Sequence, residues 1–177
     1  MKKFLLIFIA IILTSALSAC SSKSKNNSTT GNVKITEENV PYIEKYEKSV
    51  QNYSKEMSEI LIIFNNAVDG VYTKELSKEQ FSNILTQTID RSNELVTSVE
   101  SENVEPDLFE SQQQFILLVN RTHQLLLDAI DMANNPDDEI DKELLRTDYL
   151  AIKTDHATFI NNLKVLGEEL EKGKSGK

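Results

Sequence analysis

The chain has 177 residues with 28 acidic and 19 basic side chains, and its formal net charge is −9. This length suits one domain, and the acidity excludes nucleic-acid binding because a negative surface repels the phosphate backbone. There is no tryptophan, and only five glycines and three prolines occur, a composition that favours helices over sheets.

The first residues have the layout of a secretory signal. Met-Lys-Lys forms a short basic start, and an uncharged segment follows from Phe4 to Cys20, with its most apolar part at 4–13. Small residues at the end of such a segment mark a cleavage point. Polarity returns at Thr14, so the apolar part is shorter than the roughly 20 residues that span a membrane. We therefore expect a signal peptide at 1–19.

This segment ends in Leu17-Ser18-Ala19-Cys20, which resembles the lipobox of bacterial lipoproteins. The resemblance implies that the sulfur of Cys20 receives a diacylglyceryl group with acyl chains such as palmitate, and that cleavage makes Cys20 the first mature residue. Two acyl chains hold a protein stably on a bilayer, whereas one holds it only marginally. The expected location is the extracytoplasmic face of the cell membrane. The alternative is an ordinary signal peptide with an incidental cysteine.

Residues 20–36 are predicted to be the lipidated cysteine and a flexible tether. From Ser21 to Thr36 the chain is rich in Ser, Thr, Asn and Lys and has no acidic residue, as expected for a solvated segment. A flexible linker of this size spans about 20 Å. Loss of Lys2 and Lys3 with the signal would change the net charge from −9 to −11.

Two helices are predicted in the first half of the domain. Apolar residues recur from Ile43 to Val71 at alternating steps of three and four, the spacing of packed helices. We expect this helix to end at Gly70 in a left-handed conformation. The second helix begins at Ser77 as N-cap, and Gln80 completes a capping box.

Two further helices follow in the second half. Pro106 suits the first turn of the third helix, whose apolar stripe includes Phe109 and His123. This stripe is wide, which predicts contacts with more than one neighbouring helix. The fourth helix is predicted to begin near Asp137 or Asp138.

These segments predict an all-α fold, an up-down-up-down four-helix bundle over residues 37–172, with a frayed tail at 173–177. The alternative is a three-helix bundle with an extended first helix. In the four-helix bundle, the 101–107 turn lies beside the N-terminal entry at one end, called here the near pole. The 70–76 and 134–138 loops lie at the opposite end, the far pole.

Polar residues at inward positions form a candidate cluster in the bundle core: Thr88, Ser92, His123 and Tyr149. If helices 3 and 4 turn near residue 136, His123 faces Tyr149, and we expect a hydrogen bond between them. His123 and His156 would lie about 10 Å apart along the axis, too far to share a metal ion with bonds of about 2 Å. We expect no metal and no cofactor apart from the diacylglyceryl group on Cys20.

No nucleophile–base motif and no glycine-rich phosphate loop occur in the sequence, so we do not expect an enzyme. Val71 and Tyr72, in the far-pole loop, are the candidate contact for a partner. The general plan resembles the small helical lipoproteins of Gram-positive bacteria. We expect an interaction or structural module at the cell envelope, whose partner is an envelope protein or a cell-wall component. The alternative is a lipoprotein that binds a small ligand or metal in the bundle core.

Overall fold

The computed structural model describes Val33 and residues 35–135, 137 and 139–175. The predicted signal peptide, the lipobox with Cys20 and most of the predicted tether lie outside these residues. The described part is helical and contains no strand. Its elements are α1 (Val40–Tyr72), α2 (Lys78–Ser101), a 3₁₀ turn (Pro106–Leu108), α3 (Phe109–Asn134) and α4 (Lys142–Ser175).

The four helices pack as a ring. Each helix contacts the next along the chain, α4 returns to α1, and the diagonal contact between α1 and α3 is minor. Side-chain pairs between neighbours show the antiparallel order, for example Arg91 with Glu56 at 2.6 Å and Arg121 with Asp155. The predicted four-helix bundle is therefore confirmed, and the three-helix alternative is wrong.

The apolar residues that recur at steps of three and four in the sequence form the core. Phe64, Phe81 and Phe115 are at most 1% exposed, and Phe115 of α3 stacks on Phe159 of α4 with ring centroids 5.0 Å apart. Full burial of an apolar side chain stabilises the fold by about 1.5–3 kcal/mol. The repeated three–four spacing therefore identifies the residues that hold the bundle together.

The end of α1 differs from the prediction. The helix continues through Tyr72, and the residue with positive φ is Lys74, at 62°. Gly70 lies inside the helix, and a Cβ there would be 2.6 Å from Cδ1 of Leu76. The left-handed role assigned to Gly70 was wrong, because this glycine makes room for a side chain instead.

The start of α2 is confirmed and that of α4 is not. Ser77 Oγ accepts a hydrogen bond from the Gln80 backbone at 3.2 Å, and Gln80 Oε1 accepts one from the Ser77 backbone at 2.8 Å. Helix α4 begins at Lys142, because Asp141 Oδ1 accepts from the Leu144 backbone at 2.9 Å and acts as the cap. The predicted start at 137 or 138 was four or five residues too early.

The start of α3 also departs from expectation. A 3₁₀ turn precedes it. A 3₁₀ helix has about three residues per turn, whereas an α-helix has 3.6, so the side chains that face the core change. Leu108 therefore takes the core position and is 1% exposed, whereas Phe109 is 53% exposed. The inward placement predicted for Phe109 was wrong.

The chain enters the bundle at the near pole. Val33 and Ile35, which lie within the predicted tether, are partly buried and pack against the core. The Thr36 backbone donates a 2.8 Å hydrogen bond to Asn39 Oδ1, and Asn39 Nδ2 donates to Asp107 at 3.4 Å. The first described residues are therefore attached beside the turn between α2 and α3.

Candidate functional site

The predicted core cluster is only half assembled. His123 Nδ1 lies 3.1 Å from Ser92 Oγ, which joins α3 to α2. Thr88 donates instead to the backbone oxygen of Ile84 in its own helix, at 2.8 Å. Tyr149 stacks on Phe64 of α1, with centroids 6.1 Å apart. The expected hydrogen bond between His123 and Tyr149 was therefore wrong, and the four side chains do not converge on one pocket.

The pair of Ser92 and His123 has the chemistry of a nucleophile and base but not the accessibility. Ser92 is 1% exposed, and a nucleophile must reach a substrate carbonyl or phosphorus atom. Among the described residues no hydrogen bond orients the second ring nitrogen of His123. We assign the pair to helix–helix registration.

Metal chemistry has no assembled ligand set in the part of the chain that the structure describes. No group of three or more His, Cys, Asp or Glu side chains there could hold an ion. The acidic run at 137–141 supplies the cap of α4 through Asp141.

Tyr72 is engaged within the far pole. Its hydroxyl donates to Glu143 Oε1 at 2.5 Å, and this hydrogen bond is the main cause that raises the pKa of Tyr72. The Lys142 ammonium lies 4.9 Å from the ring centroid and the Arg146 guanidinium 5.4 Å from it, within the range of cation–π attraction. Arg146 also binds Asp69 of α1. Tyr72 therefore ties α1 to the first turn of α4.

Val71, the other residue predicted to contact a partner, is partly buried and packs against the core. Tyr72 is likewise half-buried. Neither side chain projects freely from the far pole. Both residues belong to the last turn of α1 and not to the predicted far-pole loop, and their placement favours packing over the end of the bundle instead of an open contact surface.

His156 is the most unusual buried group and was predicted only as an inward residue of helix 4. It is 8% exposed, and its Nε2 has no hydrogen-bond partner among the described residues. Burial, followed by the positive charge of Lys153, lowers the pKa of His156 to about 4. The ring is therefore neutral at pH 7.

Two tyrosines fasten the near pole. Tyr46 is 2% exposed and donates to Ser111 Oγ at 3.0 Å; burial raises the pKa of Tyr46 to about 12. Tyr53 is half-buried and donates to Glu102 Oε2 at 2.9 Å. Glu102 also accepts from Ser49 Oγ at 3.3 Å. These contacts attach α1 to the first turn of α3 through Ser111 and to the end of α2 through Glu102.

A groove of about 890 Å³ lies between α1 and α4 towards the near pole, with Leu163 and Leu170 on its lining. At Gly167 a Cβ would lie 2.9 Å from Glu47 Oε1, so the glycine allows this carboxylate to approach the helix. The lining carries both acidic and basic side chains, and its charge therefore selects no class of ligand. Sequence reasoning did not single out Gly167.

No protein family, curated protein or solved structure matches the chain. Within the described residues, no helix combines the length and apolar character needed to cross a membrane.

Proposed function

We propose that the protein is a lipoprotein anchored through a diacylglyceryl group on Cys20 to the extracytoplasmic face of the cell membrane. Its bundle would act as an interaction or structural module of the cell envelope, in contact with an envelope protein or a cell-wall component. The observation that carries this proposal is the sequence Leu17-Ser18-Ala19-Cys20 at the end of an apolar segment. That motif lies about a dozen residues before Val33, the first described residue, which packs against the bundle core.

The bundle supports a role as a spacer. Helix α1 has 33 residues, which corresponds to a length of about 50 Å. Tyr46 and Ser111 fasten α1 near one end, and Tyr72 and Glu143 fasten it at the other. A domain of this form holds its far pole at a distance from its point of entry.

The charge supports the same arrangement. Removal of Lys2 and Lys3 with the signal peptide would change the net charge from −9 to −11. A surface of this sign is repelled by anionic lipid, so the domain would stand away from the bilayer to which Cys20 attaches it. We do not propose catalysis, because Ser92 of the Ser92–His123 pair is buried.

The proposal is tested by metabolic labelling with a fatty-acid analogue in a Gram-positive host. The unaltered chain and a control variant, Ser24→Ala, should carry the label and sediment with membranes. Cys20→Ala should lose both properties, because it lacks the sulfur that bears the lipid. An unlabelled native chain, or equal labelling of Cys20→Ala, would refute the anchor.

A further inference from the structure

The outward side of α4 lacks charge over about 27 Å. Six positions at steps of three or four are exposed and uncharged, and we call them the uncharged face: Thr147, Leu150, Thr154, Ala157, Asn161 and Val165. Leu150 is 54% exposed and Val165 is 44% exposed. The outward side of a surface helix is ordinarily charged or polar.

Helix α1 provides the comparison within the same chain. Its exposed residues include Glu44, Lys45, Lys48 and Lys55. The outward side of α1 therefore has no comparable face, whereas α3 also exposes uncharged residues, among them Leu117, Gln124 and Leu127. The face of α4 is distinguished by the charges along its two edges. Depletion of charge is what distinguishes the centre of a protein–protein interface from other surface.

The threonines of this face are prepared for burial. Thr147 Oγ1 donates to the backbone oxygen of Glu143 at 2.8 Å, and Thr154 Oγ1 donates to that of Leu150 at 2.9 Å. Because these hydroxyl protons are already bonded within the helix, covering the face would leave no unsatisfied donor on them.

One edge of the uncharged face is basic. Arg146 binds Asp69 of α1, which identifies the edge of α4 that faces α1. At about 100° per residue, Lys153 and Lys164 lie on this same edge. These three residues carry positive charge, and the acidic Glu171 follows on the same side beyond the last residue of the uncharged face.

The other edge is acidic. Asp155 binds Arg121 of α3, which identifies the edge that faces α3. By the same helical geometry Asp148 and Glu169 also lie on that side. The uncharged face is therefore bounded by charges of opposite sign on its two sides.

We propose that two copies of this chain pair in parallel through the uncharged face of α4. A two-fold axis along the helices places the basic edge of each copy against the acidic edge of the other, on both sides of the contact. Antiparallel pairing would place basic against basic and acidic against acidic. Parallel pairing also brings the Asn161 side chains of the two copies together, and a polar residue at such a position favours a two-stranded arrangement in one register.

The size of the face predicts a weak dimer. A stable complex buries about 800 Å² on each partner, which is more than one helix face of this length provides. Parallel pairing places both near poles on the same side, so two chains anchored to one membrane could pair, and confinement there would raise their effective concentration. The pairing goes beyond the proposed anchor and does not require it.

Disulfide crosslinking of the full chain in cells tests the orientation. Thr147→Cys and Asn161→Cys each introduce one cysteine at opposite ends of the face, and Lys55→Cys is the matched exposed control on α1. In a parallel pair every position of the face meets its own copy. Both face variants should therefore crosslink at least about tenfold more than the control. The unaltered chain measures any contribution of Cys20, its only cysteine.

Crosslinking of both face variants at the control level overturns the pairing, whether or not the chain carries lipid. Crosslinking of only one of them overturns the parallel orientation. In an antiparallel pair a residue lies opposite its own copy only near the two-fold axis, so the two positions would not both crosslink. Adding Leu150→Asp to either variant should return crosslinking to the control level without changing the thermal unfolding midpoint, since Leu150 is outside the core. Fatty-acid labelling of the same samples reports separately on the proposed anchor.

Discussion

Leu76 lies directly over Gly70, where a methyl group would be 2.6 Å from both Cδ1 and Cγ of Leu76. The Leu76 backbone also donates to the Gly70 carbonyl oxygen at 3.0 Å. Helix α1 therefore ends in a loop that folds back onto its last turn. Gly70 is required here by a side-chain contact and not by its backbone dihedral angles.

This contact predicts a change of sign in a double-mutant cycle. Gly70→Ala alone should lower the free energy of unfolding by about 1–2 kcal/mol, because overpacking outweighs the gain in helix propensity. In a Leu76→Ala background the same change should raise stability by up to about 1 kcal/mol, since the clash is gone. Chemical denaturation of the four proteins measures this, and equal effects in both backgrounds would contradict the contact.

The helices were predictable because the spacing of apolar residues along the sequence indicates which side of each helix packs against the core. The seam from Ile43 to Val71 and the Ser77 cap are local patterns, and the structure confirms both. The start of α4 was not predictable in the same way. Acids at 137–139 resemble a first helical turn, and only the hydrogen bond from Leu144 identifies Asp141 as the cap.

His156 should make stability depend on pH. Its folded pKa is about 4, below its ordinary value of 6.5, so between these values the unfolded chain binds more protons than the folded one. Stability is therefore complete above about pH 6.5 and falls as the pH decreases towards 4. The loss from this residue alone should approach about 3 kcal/mol.

The comparison variant for this prediction is His156→Leu, which keeps the apolar environment and removes the titrating ring. Carboxylates titrate in both proteins, so the difference between their unfolding free energies isolates His156. That difference should shift by about 3 kcal/mol in favour of the variant between pH 7 and pH 4. Parallel pH profiles would show that the buried ring does not titrate as expected.

The candidate core site was less predictable than the fold. The spacing predicts that His123 and Tyr149 point inward. It does not determine which neighbouring helix each side chain contacts. Arg121 pairs with Asp155, so α3 and α4 are offset from the turn centre at 136 that was assumed. His123 turns towards α2 and Tyr149 towards α1, and helix rotation of this kind depends on all the packed residues together.

The capping box of α2 should contribute measurably to stability. Ser77→Ala removes the acceptor of the Gln80 backbone N–H and should lower the unfolding free energy by about 1 kcal/mol. Ser98→Ala is the matched control, because Ser98 Oγ only donates to the Glu94 carbonyl within α2. That variant should change stability by less than about 0.5 kcal/mol. Equal effects of the two substitutions would show that the cap is not the cause.

Tyr46 and Ser111 form a buried hydrogen bond between α1 and α3, and its two partners should contribute non-additively. Ser111→Ala leaves the Tyr46 hydroxyl buried without an acceptor and should cost about 1–3 kcal/mol, whereas Tyr46→Phe should cost about 1 kcal/mol. The double variant should lose less than the sum of the single losses, because no polar atom is then left unpaired. Urea unfolding of the single and double variants measures the coupling. A double loss equal to the sum would mean that the two hydroxyls act independently.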